Sequence, residues 1–156
     1  MGECLDPVNF LVAEDDEEDR ELIQMAIEIE CDCYRLKFVG DGQELLDYLR
    51  RDDSYAYPLE APAPDLILLD LNMPRKDGLS ALHEIKSDPD FKVIPIIIFT
   101  TTQEEEAVAS SYGRGANTFI PKPVTFDDLT RTIRCLSTYW CKVATLPRAS
   151  MPECRF

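Results

Sequence analysis

Apolar stretches and stretches with helical spacing alternate five times along this 156-residue chain. Val8–Ala13 is mostly apolar and reads as a buried strand. The acidic run Glu14–Asp19 then opens a helix that places Leu22, Ile23, Ala26 and Ile27 on one face, and acids in a first turn suit the helix dipole. Arg35–Val39 is the second strand. Asp41-Gly42 turns the chain into a helix over Gln43–Arg51, where Leu45, Leu46 and Leu49 have helical spacing. Asp52–Pro64 is polar, carries Pro58, Pro62 and Pro64, and reads as a loop that is long for its place.

Leu66–Leu69 is short and wholly apolar, the pattern of a central parallel strand covered on both faces. Gly78–Ser87 is helical until Asp88-Pro89 stops it. Pro95–Phe99 is a buried strand, followed by a helix from Gln103 to Tyr112 and a short strand at Thr118–Ile120. The last helix, Phe126–Val143, sets Leu129, Ile133, Leu136, Trp140 and Val143 on one stripe. Residues 1–7 and 147–156 show no periodicity and are expected to be flexible ends. Five β-α repeats predict one α/β domain over residues 8–143: a five-stranded, doubly wound parallel sheet with right-handed crossovers and helices on both faces. In such sheets the working site lies at the carboxyl ends of the strands, where strand order reverses.

Charge narrows the partners. Sixteen basic against thirty acidic side chains leave a net charge of −14, a field that repels nucleic acid and anionic membrane. No apolar run approaches the roughly 20 residues of a membrane span. The start MGECLD lacks the form of a signal peptide, and Asp6 stands where a myristoylation motif wants Ser or Thr. A cytoplasmic protein with neither a nucleic-acid nor a membrane partner is expected. The six cysteines, at 4, 31, 33, 135, 141 and 154, form no CxxC pair and are expected to be reduced thiols. His83 is the one histidine, so no Ser-His-Asp or His-rich metal site is available. It is expected on a solvated helix face.

The strand ends carry the chemistry. The first strand ends in Glu14-Asp15-Asp16, the third in Asp70, the fourth in Thr100 and the last in Lys122-Pro123. Clustered carboxylates stay ionised only if a cation neutralises them, and an oxygen-only ligand set suits Mg²⁺. A carboxylate can itself attack phosphorus to give an acyl phosphate. The charge gathered on the equatorial oxygens would then be shared by the metal, Lys122 and the Thr100 hydroxyl. Taken singly, each residue has a plainer role. Acids at 14–18 are ordinary helix caps, Thr100 competes with Thr101 and Thr102 as a cap, and Lys122 is a surface lysine. Their joint appearance, each at a strand end, favours phosphoryl chemistry.

The stretches FLVAEDDEED, DLILLDLNMPRKDG, IPIIIFTTT and GANTFIPKP, in that order, resemble the receiver domain of two-component response regulators. The resemblance covers about residues 8–143 and implies a flavodoxin-like receiver with strand order 2-1-3-4-5. It implies a phosphorelay switch rather than an enzyme, with Asp70 accepting a phosphoryl group from a phosphohistidine kinase in the presence of Mg²⁺. Asp15, Asp70 and the Asn72 backbone carbonyl would ligate the metal directly, and Glu14 through water; Glu14 stands where many members have Asp. Lys122 would pair with the phosphoryl group, and the Lys122–Pro123 bond would be cis. Thr100 would swing toward the phosphoryl oxygen and Phe119, where many members carry Tyr, would turn inward behind it. Asn72 and Thr102 flank the place of an attacking water and would tune phosphoryl lifetime.

The proline-bearing loop, the phrase LDLNMPRKDG, the Asp88-Pro89 break and the ending YWCKVATLP are similar to single-domain regulators that partner bacterial phytochromes. That likeness implies a phytochrome-type histidine kinase as partner and a homodimer. It also implies a switching face made by the fourth helix, last strand and last helix. Nothing after residue 146 is long enough for an output domain, so the expected output is to be bound, to dimerise or to pass the phosphoryl group on. Three other readings compete. A phosphatase of the haloacid-dehalogenase type would want a second Asp where Asn72 stands. A flavodoxin-like flavin carrier would be repelled by the Glu14–Asp19 run. A docking module that no longer takes phosphate is disfavoured by the complete residue set.

Overall fold

The computed structural model describes residues 7–30, 33–52, 55 and 61–147. The apolar runs become five strands: β1 (Val8–Ala13), β2 (Tyr34–Val39), β3 (Leu66–Leu69), β4 (Ile96–Thr100) and β5 (Thr118–Pro121). All pair in parallel, in the order β2-β1-β3-β4-β5. Between them run α1 (Glu17–Glu30), α2 (Gly42–Arg50), α3 (Gly78–Ser87) and α4 (Glu105–Gly113), and α5 (Phe126–Ser137) follows β5.

Strand side chains alternate across the sheet even where every position is buried. Leu11, Ala13, Ile67, Leu69, Ile96 and Ile98 face one layer, completed by Leu45, Leu46 and Leu49 of α2 and Ala81, Leu82 and Ile85 of α3. Phe10, Val12, Leu66, Leu68, Ile97 and Phe99 face the other, completed by Ile23, Ala26 and Ile27 of α1 and Leu129, Ile133 and Leu136 of α5. The central strands β3 and β4 are buried along their whole length, while the edge strand β2 alternates. This is the expected three-layer, doubly wound arrangement. Strand order reverses between β1 and β3, so the carboxyl ends of those two strands frame the site.

Three local details differ from the sequence reading. The acidic run splits: α1 begins at Glu17, with Asp16 accepting from the Asp19 N–H at 3.0 Å as its cap, so Glu14 is freed from helix duty. On the same helix Leu22 is 40% exposed, because the buried stripe is the narrower Ile23, Ala26 and Ile27. The last helix does not run evenly to Val143. It ends at Ser137 and widens into a π-helical segment, Thr138–Val143, closed by the Ala144 N–H on the Tyr139 carbonyl at 2.7 Å. The wider turn carries Val143 out of the stripe, to 69% exposure, while Trp140 still packs on the core.

Of the proline-bearing loop, Tyr55 donates its hydroxyl to Glu44 and Pro62 accepts the Tyr48 hydroxyl at 2.8 Å. Pro58 and most of that loop, Cys4, Cys31, Cys154 and nearly all of the two ends lie outside the described residues. Cys33 is buried and Cys135 exposed. His83 is exposed on α3, as expected. Among the described residues no helix is long and apolar enough to cross a membrane.

Candidate functional site

The backbone at the sheet rim fixes where the carboxylates stand. The Glu14 N–H continues the β1–β2 ladder onto the Val39 carbonyl at 3.0 Å, and the Asp70 N–H donates to Ala13 at 3.1 Å. Chain direction after Asp70 depends on Gly78, whose N–H returns to the Leu71 carbonyl at 2.9 Å. A Cβ at Gly78 would sit 2.2 Å from the Asp70 carbonyl oxygen, so only glycine permits this crossing. Gly42 is needed for a similar reason, since a Cβ there would meet the Lys76 carbonyl at 2.5 Å.

Glu14, Asp15 and Asp70 bring one oxygen each into a group spanning no more than 4.8 Å. Glu14 and Asp70 are buried and Asp15 is exposed. Three hard oxygen donors with one open side match the partial carboxylate set that a small divalent cation takes alongside water. Lys122 reaches the same group from the end of β5. Its ammonium lies 2.7 Å from Glu14, 2.8 Å from Asp19 and 3.0 Å from Asp70. Burial alone would lower its pKa, but the hydrogen bonds to Asp19, Glu14 and Asp70 outweigh that and hold it above the ordinary lysine value. Burial pushes the Glu14 carboxyl up to about 7, against the pull of Lys122 and with help from the Asp70 charge.

The Lys122–Pro123 bond is trans, since no peptide among the described residues is cis. This corrects the expectation of a cis bond. The trans form is the cheaper one for X-Pro, and with it Lys122 already reaches Asp70 while its N–H donates to the Thr100 carbonyl at 2.8 Å. Thr100 is fully buried and does not cap α4, whose cap position is Glu104. Its hydroxyl accepts a long 3.4 Å bond from the Thr102 N–H. Asn72 donates from Nδ2 to the Thr102 hydroxyl at 3.0 Å, so these two residues meet across the mouth of the site. The Asn72 N–H also donates to Asp70 Oδ1 at 3.2 Å. Phe119 is half-buried against the α2–α3 core layer, and its N–H donates to the Tyr112 hydroxyl of α4 at 3.1 Å.

Three participants escaped the sequence reading. Asp19 was one acid among several at a helix start, and nothing in the pattern marked it as a partner of Lys122. Arg20 donates from Nε to the Glu14 carbonyl at 2.6 Å and lies 5.7 Å over the Phe38 ring, locking the acidic turn to β2. Arg75, in the loop after Asp70, donates to the buried Asp41 at 2.7 Å and so ties that loop to the start of α2. Only a tertiary fold reveals pairs separated this far along the chain.

Comparison with known proteins points the same way. The family model of the response regulator receiver domain matches residues 10–134. Response regulator Rcp1 of Synechocystis sp. is 34% identical over 143 residues, 92% of this chain and 95% of that protein. Among solved structures, the phosphorylated cyanobacterial phytochrome response regulator RcpA is 38% identical, with a TM-score of 0.83 over 90% of this chain and 99% of its own. The Mn²⁺-bound form of a response regulator Rcp1 is 34% identical, with a TM-score of 0.82 over the same shares.

Proposed function

Because the chain belongs to the response regulator receiver domain family, we propose that Asp70 is its phosphoacceptor and that residues 8–143 work as a phosphorelay switch. The observation that carries this is the convergence at the β1–β3 rim. A buried Asp70 carboxylate stands 3.0 Å from a lysine ammonium, beside two further carboxylates whose oxygens lie within 4.8 Å. An Asp70 oxygen attacks the phosphorus of a phosphohistidine, the P–N bond breaks, and an acyl phosphate forms. Asp15, Asp70 and the Asn72 backbone carbonyl would hold the metal directly and Glu14 through water, and we assign it as Mg²⁺. Bound there, it offsets the crowded negative charge and that of the phosphoryl oxygens. Lys122 supplies the second positive charge, and Thr100 turns its weakly held hydroxyl toward the phosphoryl group. Asn72 and Thr102, already bonded to each other, control access of water and so the lifetime.

The kinase is a histidine kinase of the phytochrome type, a reading supported by the likeness to RcpA. The switch acts in the cytoplasm, without nucleic-acid or membrane contact of its own. Movement of Thr100 gives Phe119 room to turn inward, which alters the surface made by α4, β5 and α5. Tyr112 of α4 and Tyr139, just after α5, are exposed, and we assign that surface to a homodimer whose affinity depends on phosphorylation. A haloacid-dehalogenase-type phosphatase fits less well, since Asn72 offers no carboxyl for general acid catalysis.

The test is labelling by a phosphohistidine kinase or by acetyl phosphate, with and without Mg²⁺. Wild type should take an acid-stable, base-labile label only with the metal, and Asp70→Asn should take none. Label persisting in Asp70→Asn would refute the assignment. Sedimentation with and without beryllofluoride tests the dimer, and a monomer in both conditions would remove it.

A further inference from the structure

Lys122 has a partner that phosphoryl transfer does not require. An ammonium carries three N–H donors, and here three carboxylates face them: Glu14 at 2.7 Å, Asp19 at 2.8 Å and Asp70 at 3.0 Å. The lysine side chain is only 11% exposed, so these carboxylates rather than water decide where the ammonium rests. Two of them belong to the metal group with Asp15; Asp19 does not. It comes from the first turn of α1 with a side chain 37% exposed. The helix does not depend on it either, because Asp16 is the cap and Glu17 and Glu18 already place acids at the start.

We infer that Asp19 is a positioning residue that competes with the phosphoryl group for Lys122 and thereby limits how tightly the site holds that group. The inference rests on the reading of Asp70 as phosphoacceptor. A phosphoryl group brings roughly −1.5 to −2 charges to the site. Among the described residues, Lys122 is the cation paired with Asp70. A bound metal would engage the oxygens of Glu14 and Asp70, which would leave Asp19 its whole charge for the ammonium. Each N–H that Lys122 gives to Asp19 is one it cannot give to a phosphoryl oxygen, and charge-assisted bonds of this kind are among the stronger ones. Two effects of neutralising Asp19 therefore act together: Lys122 is released toward the phosphoryl group, and one repelling charge leaves the neighbourhood. Loss of a purely structural contact would instead loosen the site and weaken binding.

The experiment is a beryllofluoride titration at saturating Mg²⁺, with bound fluoride read by ¹⁹F NMR in the full chain. Asp19→Asn, which keeps the shape of the side chain, should bind roughly 3- to 10-fold more tightly than wild type. Glu18→Gln removes the same charge one residue away, from a side chain with no ion pair to Lys122, and should give less than half that gain. Equal or weaker binding by Asp19→Asn overturns the inference, and so does a Glu18→Gln gain that matches it. Asp70→Asn separates the two failures. If that variant binds beryllofluoride like wild type, the phosphoacceptor reading itself fails. If it binds none while Asp19→Asn equals wild type, only the role of Asp19 is lost.

Discussion

The rim of β1 and β3 and the neighbouring edge of β5 and α4 are built on opposite plans. At the rim two of the three clustered carboxylates are buried and held. Glu14 and Asp70 are buried, their N–H groups are bonded to Val39 and Ala13, and Arg20 and Gly78 lock the turns that follow. At the edge little is fixed. In α4 only Ser111 is buried, no side chain caps its start, β5 has no fully buried residue, and the Thr100 hydroxyl holds one 3.4 Å bond. Elements held by few buried contacts open at low cost, whereas a charge site has to keep its geometry. The division suits a switch: chemistry sits on the rigid part, and the part that must change shape lies directly beside it.

The largest test of this contrast is a pair of truncations. Leu82→Ala, in the buried α3 layer, should cost about 2–5 kcal/mol in a urea titration. Val108→Ala on α4, only half-buried, should cost less than about 1 kcal/mol. Equal costs would break the contrast. Gly78→Ala should be nearly as damaging as Leu82→Ala, because the new Cβ would collide with the Asp70 carbonyl, and it should weaken Mg²⁺ binding as well. Unchanged metal affinity in that variant would show that the rim tolerates movement.

Next in size is a pH effect at the rim. Burial lifts the Glu14 carboxyl from its ordinary 4.5 to about 7 in the folded, metal-free protein. Between those values the folded chain binds a proton that the unfolded chain has released. Stability should therefore fall as pH rises from about 4.5 to about 7, by an order of 1–3 kcal/mol, and level off above. Millimolar Mg²⁺ should raise the melting temperature and flatten that slope. A stability that climbs through the same range without metal would contradict the burial of Glu14 as the dominant influence on its carboxyl.

Most of the architecture was legible because period-two and period-3.6 patterns are local properties of the chain. The apolar run Leu66–Leu69 could be placed as a central strand and Pro95–Phe99 as a buried one, and the residues at their ends predicted which side chains would meet. Glu14, Asp15, Asp70 and Lys122 do converge. What escaped depends on geometry that no local pattern records. The π-helical widening after Ser137 exposes Val143, and the Lys122–Pro123 bond is trans with the lysine already at its partners. Asp19 and Arg20 look like generic first-turn residues until β5 and β2 are packed beside them.

The smallest expected effect lies on the edge itself. Tyr112→Phe removes the hydroxyl that accepts from the Phe119 N–H and should cost no more than about 1 kcal/mol. Its exchange signature should be sharper than its energy: the Phe119 amide should lose protection while amides of β3 stay unchanged. Loss spread across the sheet would mean that α4 and β5 are less separable from the rim than their burial indicates.

The central claim is that a phosphoryl group at Asp70 leaves the rim in place and reorganises α4 and β5. Amide hydrogen exchange on wild type and Asp70→Asn, each with Mg²⁺ and with or without beryllofluoride, tests it most directly. Wild type should change protection in α4 and β5, including Phe119, with β1 and β3 constant or better protected, and Asp70→Asn should show no change. A wild-type response confined to the β1–β3 rim, or an equal response in Asp70→Asn, would contradict it.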